Sequence, residues 1–161
     1  MRSAFLTTVI VLGALACGGD QQANDTQDQT QTPDATPGAA APAAPAAPAG
    51  PVVEVKMTGN GTNRAAYEPA TLTIAPGTVV RFVNVSGGPH NIAFWGDSIP
   101  AGAAAPLSAG MPNTIDNLVG TFLTQPTESY DVSFANAPAG VYKGYCTPHL
   151  ALGMRIAITV E

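Results

Sequence analysis

The chain has 161 residues, 45% of them hydrophobic, and a formal net charge of −5 from six basic and eleven acidic side chains. An acidic chain with no basic cluster is unsuited to nucleic acid. Two cysteines cannot carry a disulfide framework.

Residues 1–16 read MRSAFLTTVIVLGALA, one positive charge before a short apolar run that ends in small residues. That pattern predicts an export signal, too short for a membrane span. Ala14-Leu15-Ala16-Cys17 resembles a bacterial lipobox, with Cys17 the lipidated first residue, and Ala14-x-Ala16 also fits ordinary signal cleavage. Either reading exports the protein; the first predicts a lipid anchor on a bacterial membrane, at the periplasmic or cell-surface side. Residues 17–50 are then a disordered linker. After Cys17 they hold no aromatic residue and no Val, Ile or Leu, and Asp20, Asp25, Asp28 and Asp34 face no positive charge. Such a stretch cannot bury enough apolar surface to offset its ordering entropy. Its Ala/Pro half predicts a semi-stiff spacer of roughly 3 Å per residue.

Residues 51–161 are the expected folded domain, with a length ordinary for one core. Lys56, Arg64, Arg81, Lys143 and Arg155 stand against Glu54, Glu68, Asp97, Asp116, Glu128, Asp131 and Glu161. Short runs of period two recur between Gly, Pro and Asn. They are Val53-Val55-Met57, Leu72-Ile74, the run from Val79 to Val85, Asn91 to Phe94, Tyr130-Val132-Phe134, Val141 to Tyr145, and Ile156-Ile158-Val160. In the run from Val79 to Val85, Val80, Phe82 and Asn84 share one face, while Val79, Val83 and Val85 share the other with Arg81. Seven to eight such strands predict an all-β sandwich of two antiparallel sheets. Residues 96–125 lack alternation and predict a long connection with a helical turn or two.

The chemistry sits in a few residues. Cys146, His149 and Met154 lie within nine positions, on a stretch turned by Pro148 and Gly153. His90 follows the turn Gly87-Gly88-Pro89. These are the chain's only two histidines and its only cysteine past Cys17. Two imidazoles and a thiolate with a weak thioether suit both oxidation states of one copper ion. Zinc prefers more thiolates or carboxylates and has little use for a thioether.

The stretches Gly88 to Phe94 with Ile99 to Gly102, and Gly140 to His149 with Gly153-Met154, resemble plastocyanin, a cupredoxin; Tyr67-Glu68-Pro69 and Pro76-Gly77 also have counterparts there. The resemblance covers roughly 52–161. It implies a Greek-key cupredoxin sandwich with His90, Cys146, His149 and Met154 as type 1 copper ligands. It implies that the Asn91 backbone amide points at the cysteine sulfur and that the Asn91 side chain ties the ligand loops together through Thr147. Pro148 offers the sulfur no N–H. It further implies a one-electron carrier, not an enzyme, that docks transiently with a redox donor and acceptor as a monomer. The expected docking surface is Pro89, Leu150 and Leu152, with Tyr145 as a second route. The acidic run that plant plastocyanins carry after the equivalent of Phe94 is here Trp95-Gly96-Asp97-Ser98. A copper-delivery protein and an electron donor dedicated to one copper or haem enzyme remain as alternatives. Copper nitrite reductases and multicopper oxidases need histidines for a second centre that this chain lacks.

Overall fold

The computed structural model describes residues 50–161. The expectations for the export signal, Cys17 and the linker up to residue 49 lie outside the described residues.

Eight strands and one short helix follow in chain order: β1 (Val52–Gly59), β2 (Ala65–Glu68), β3 (Thr71–Ile74), β4 (Val79–Asn84), β5 (Ala93–Phe94), α1 (Ala104–Ala109), β6 (Ser129–Ser133), β7 (Gly140–Tyr145) and β8 (Arg155–Val160). They form two four-stranded sheets, β2-β1-β4-β6 and β3-β8-β7-β5. This is the expected all-β sandwich, with one correction. The sheets are mixed, because β1 pairs with β4 and β3 with β8 in parallel. The chain leaves the first sheet after β2, lays β3 into the second and returns with β4 beside β1. Alternation along a strand records which face is buried; it carries no information on which way the neighbour runs.

The inward positions follow the period-two sets, except that Val53, grouped with Val55 and Met57, is exposed at the start of β1. Val55, Met57, Val80, Phe82, Val132, Phe134, Tyr142, Ile156, Ile158 and Val160 are all buried. Aromatic rings meet edge to face across this core, Tyr67 with Phe82 at 5.8 Å and Phe134 with Tyr142 at 5.3 Å between centroids. Such pairs contribute about 0.5–1.5 kcal/mol beyond their burial. β4 is covered on both sides at its start, where Val79 and Val80 are both buried, and the chain becomes open just past its end, where Val85 is exposed. β2 is absent from the sequence reading. Its four residues hold one large apolar side chain, Tyr67. The strand is fixed by the turn before it, where Asn60 Oδ1 accepts hydrogen bonds from the amides of Thr62, Asn63 and Arg64.

The long connection has the expected helical turn, α1, with Leu107 buried beneath it. Its later part is more ordered than its composition suggests. It lies along the segment from His90 to Phe94. Leu123 and His90 exchange both backbone hydrogen bonds, at 2.8 and 3.0 Å. The Gly120 amide donates to the Ile92 carbonyl, and the Phe94 amide to the Leu118 carbonyl. An irregular stretch thus becomes a wall that holds the His90 loop.

Candidate metal centre

His90 is fully buried at the exit of the Gly87-Gly88-Pro89 turn. Gly87 has a φ of 75°, and a Cβ there would collide with the backbone of Gly59. Only glycine fits that position. Below the turn, the buried Asn84 amide donates to the carbonyls of Leu123 and Gln125. Ring orientation is set by the Ser86 carbonyl, 2.9 Å from His90 Nε2. A carbonyl only accepts, so Nε2 carries the proton and Nδ1 presents a bare lone pair.

The other donors come from one tightly folded loop. Cys146 leaves β7 buried, and its amide donates to the Met154 carbonyl at 3.1 Å. The His149 amide returns to the Cys146 carbonyl, and the Met154 amide to the His149 carbonyl, both at 3.2 Å. A 3-10 turn over Leu150–Leu152 ends at Gly153, whose φ of 81° reverses the chain. Met154 is 1% exposed. Its two backbone bonds therefore hold it against both Cys146 and His149.

These two segments bring three donor atoms together. His90 Nδ1 and His149 Nδ1 are 3.1 Å apart, Cys146 Sγ is 3.5 Å from His149 Nδ1, and Cys146 Sγ is 3.8 Å from His90 Nδ1. A triangle with these sides has its centre about 2 Å from every corner, within the roughly 2.0–2.3 Å range of transition-metal bonds to nitrogen and sulfur. Donor chemistry and spacing together fit a single soft or borderline cation.

Electrostatics agree. Burial lowers the pKa of His90, against the raising effect of the Ser86 carbonyl. Burial lowers that of His149, and His90 lowers it further. Both rings are therefore held neutral, the form that binds metal. Burial pushes the Cys146 thiol up, while hydrogen bonds from the Asn91 and His149 backbone amides pull it down. The resemblance implied the Asn91 amide. The His149 amide is an addition, brought round by the turn past Pro148.

Around the donors, Asn91 spans the two loops. Its Oδ1 accepts from the Thr147 amide at 2.8 Å, and its Nδ2 donates to Thr147 Oγ1 at 3.1 Å and to the Gly120 carbonyl at 3.2 Å. Tyr67 reaches over from β2 and donates to the Asn91 carbonyl at 2.6 Å. Sequence reasoning missed Tyr67, Asn84 and Ser86 as supports. For Asn84 there was a signal, a polar residue on the apolar face of β4.

His149 is half-buried where His90 is sealed, so this end of the sandwich approaches the surface at His149. Pro89 is exposed, Leu150 half-buried and Leu152 39% exposed. Phe122, beside Leu123 in the segment paired with His90, is 41% exposed and was not anticipated. Tyr145 is half-buried and stacks on Trp95 at 4.5 Å, with 25° between the planes.

Comparison with known proteins agrees with this geometry. Residues 53–161 match the family described as copper binding proteins, plastocyanin/azurin family. A plastocyanin from Scenedesmus fuscus is 37% identical over 109 residues, 68% of this chain and 99% of that protein. One from Prochlorothrix hollandica is 40% identical over 111 residues, 68% of this chain and 72% of that protein. The solved structure of oxidized plastocyanin from Dryopteris crassirhizoma superposes with a TM-score of 0.50 at 28% identity, covering 68% of this chain and all of that one. A match of this extent, running from β1 through the whole donor loop, makes the chain a member of the plastocyanin/azurin family of copper-binding proteins.

Proposed function

We propose that this protein is an exported type 1 copper electron carrier, moving single electrons between a redox donor and acceptor. The observation that carries the reading is the triangle of two imidazole nitrogens and one cysteine sulfur, sized for one ion. Copper bound there supplies a one-electron couple between its +1 and +2 states. His90, Cys146 and His149 would hold it, with Met154 as the weak fourth donor.

The chain's own residues do the rest. The Ser86 carbonyl and the Asn91 clamp keep the rings and the thiolate in one arrangement, so that little has to move when an electron arrives. The core behind His90 and Met154 excludes water. The half-buried His149 is the route outward. Pro89, Leu150, Leu152 and Phe122 provide a small apolar surface for brief, weak docking, as suits a carrier that must release its partner. Trp95 over Tyr145, one residue from Cys146, offers a second route. Lys143 and Arg155 flank it in a cleft of about 220 Å³.

Export, lipidation of Cys17, a tether over the linker to residue 50, a periplasmic or cell-surface location and a monomeric state complete the proposal. Among the described residues no helix is long and apolar enough to cross a membrane. Both of the chain's histidines belong to the one cluster, which favours a carrier over a multicopper enzyme. A fully buried thiolate and a sealed His90 favour a carrier over a delivery protein, whose metal must come and go.

The test is to load the protein with Cu(II) and record its visible spectrum and voltammogram. An intense sulfur-to-copper band that bleaches and returns on reduction and reoxidation supports the proposal. Loss of that band in Cys146→Ser is expected, and its persistence would refute the ligand assignment. Rapid surrender of copper to a mild chelator would favour delivery.

A further inference from the structure

We infer that the outer face of the β3-β8-β7-β5 sheet, around the Trp95–Tyr145 stack, is a docking site for an acidic redox protein. The inference rests on the carrier reading above and names the charge of one partner.

Four side chains make the face. Tyr145 and Arg155 stand opposite each other on β7 and β8. Opposed residues of an antiparallel pair point to the same side of the sheet, and so does Lys143, two positions before Tyr145. That side is the outer one, because Gly144 and Ile156 are buried while Lys143 and Arg155 are exposed. Trp95 follows β5 directly. Its amide donates to the Lys143 carbonyl at 3.3 Å, and its ring lies over Tyr145. Beside Trp95, Lys143 and Arg155, the cleft is lined by Ala70 and Ala157, whose methyl side chains leave it open.

Charge gives the sign of the partner. The strands of this sheet hold Lys143 and Arg155 and no acidic residue. The acidic Glu54, Glu68 and Asp131 belong to strands of the other sheet. Among the described residues the ion pair is Arg81 with Asp131, also in that other sheet, so Lys143 and Arg155 have no carboxylate partner. Asp97, two residues past Trp95, accepts a hydrogen bond from Ser98 Oγ instead. A domain with more acidic than basic side chains thus gathers two unpaired cations on one face. Such a face speeds encounter with an acidic surface and turns a basic one away. Arginine and the large aromatic residues are also the groups that anchor interfaces. The face lies beside the metal centre. Tyr145 directly precedes Cys146, and Arg155 directly follows Met154. Arg155 Nη1 is 3.7 Å from where a Cβ on Gly153 would stand. A partner seated over Trp95 therefore meets the donor loop through the stacked pair.

The experiment uses the full-length copper-loaded chain and two probes that share one haem fold, cytochrome c with its lysines succinylated, which is acidic, and unmodified cytochrome c, which is basic. One electron leaves the haem iron, Fe(II) becoming Fe(III), and reduces Cu(II) to Cu(I). With the acidic probe the rate is expected to rise as salt is lowered. Lys143→Gln and Arg155→Gln are each expected to slow it by about two- to fivefold, the factor that about 0.5–1 kcal/mol per surface charge pair gives. Lys56→Gln removes an equal charge from β1 and leaves the rate unchanged. Neither Lys143→Gln nor Arg155→Gln slows the basic probe. Adding the acidic probe shifts the Trp95 indole signal in the nuclear magnetic resonance spectrum of the metal-free chain. Equal slowing by Lys143→Gln, Arg155→Gln and Lys56→Gln means that only net charge matters and overturns the inference. Slowing by Leu152→Glu alone places the acidic partner at His149 and overturns it too. So does a Trp95 shift, with no probe present, on replacing Asp20, Asp25, Asp28 and Asp34 by asparagine, because the occupant is then this chain's own acidic stretch. A wild type that never shows the sulfur-to-copper band fails the copper reading instead, while the Trp95 shift in the metal-free chain still decides the docking site.

Discussion

Replacing Asn91 with alanine removes the side chain that fastens the two donor loops. The structure shows what is lost. Thr147 loses the acceptor for its amide and the donor to its hydroxyl, and the Gly120 carbonyl loses the Asn91 amide. Thr147 is exposed and can turn to water, so its two bonds cost only their net worth, about 0.5–1.5 kcal/mol each. Gly120 is buried, although its carbonyl has a second lone pair. Stranding it adds about 1 kcal/mol, at the low end for such a group. The total is about 2–4 kcal/mol, a large part of the roughly 5–15 kcal/mol typical of a domain. Urea unfolding of the metal-free protein measures it as a lower midpoint with an unchanged slope. Copper affinity, by competition with a chelator, falls about 10–100-fold, as is usual when a group supporting a metal ligand is removed. A loss below about 0.5 kcal/mol with unchanged affinity would show that the loops do not depend on this clamp.

The metal-free protein is most stable between about pH 6.5 and pH 9. Burial holds His90 and His149 below the usual 6.5, so the unfolded chain takes up their protons first and stability falls as the pH drops through that value. Burial holds Cys146 above 9.0, so the folded chain keeps a proton that the unfolded chain has released, and stability falls again above it. Urea midpoints across this range check both limbs, and a midpoint that rises toward acid contradicts the signs. Gly153→Ala places a side chain at φ 81°, where space is open, with Arg155 Nη1 3.7 Å away. Its cost is therefore backbone strain of about 1–2 kcal/mol, read as a lower melting temperature; no change means the loop finds another path. Leu152→Glu sits on the exposed apolar surface and is expected to slow electron exchange between copies of the protein by about tenfold or more while leaving the visible band intact. An unchanged exchange rate places docking elsewhere.

Some of this was legible from the sequence, and the reasons differ by element. β8 was plain, because Ile156, Ile158 and Val160 alternate without interruption and all three are buried. β2 was not, since a four-residue strand with one large apolar side chain has no period to read. The ordered wall at Leu118 to Leu123 was invisible for another reason: it is held by backbone bonds to Ile92, His90 and Phe94, which leave no mark in side-chain pattern. Parallel pairing of β1 with β4 is likewise a property of the path between the sheets. The donors stood out through scarcity, because a chain with two histidines and one late cysteine offers few ways to build a metal site. Their supports did not. Ser86 acts through its carbonyl, and Tyr67 reaches the site from 24 residues before Asn91.

X-ray absorption at the copper edge of the loaded protein tests the central claim most directly. Two nitrogen scatterers at about 2.0 Å and one sulfur at no more than about 2.3 Å are predicted. A shell of nitrogen and oxygen alone, with no sulfur at bonding distance, would contradict it.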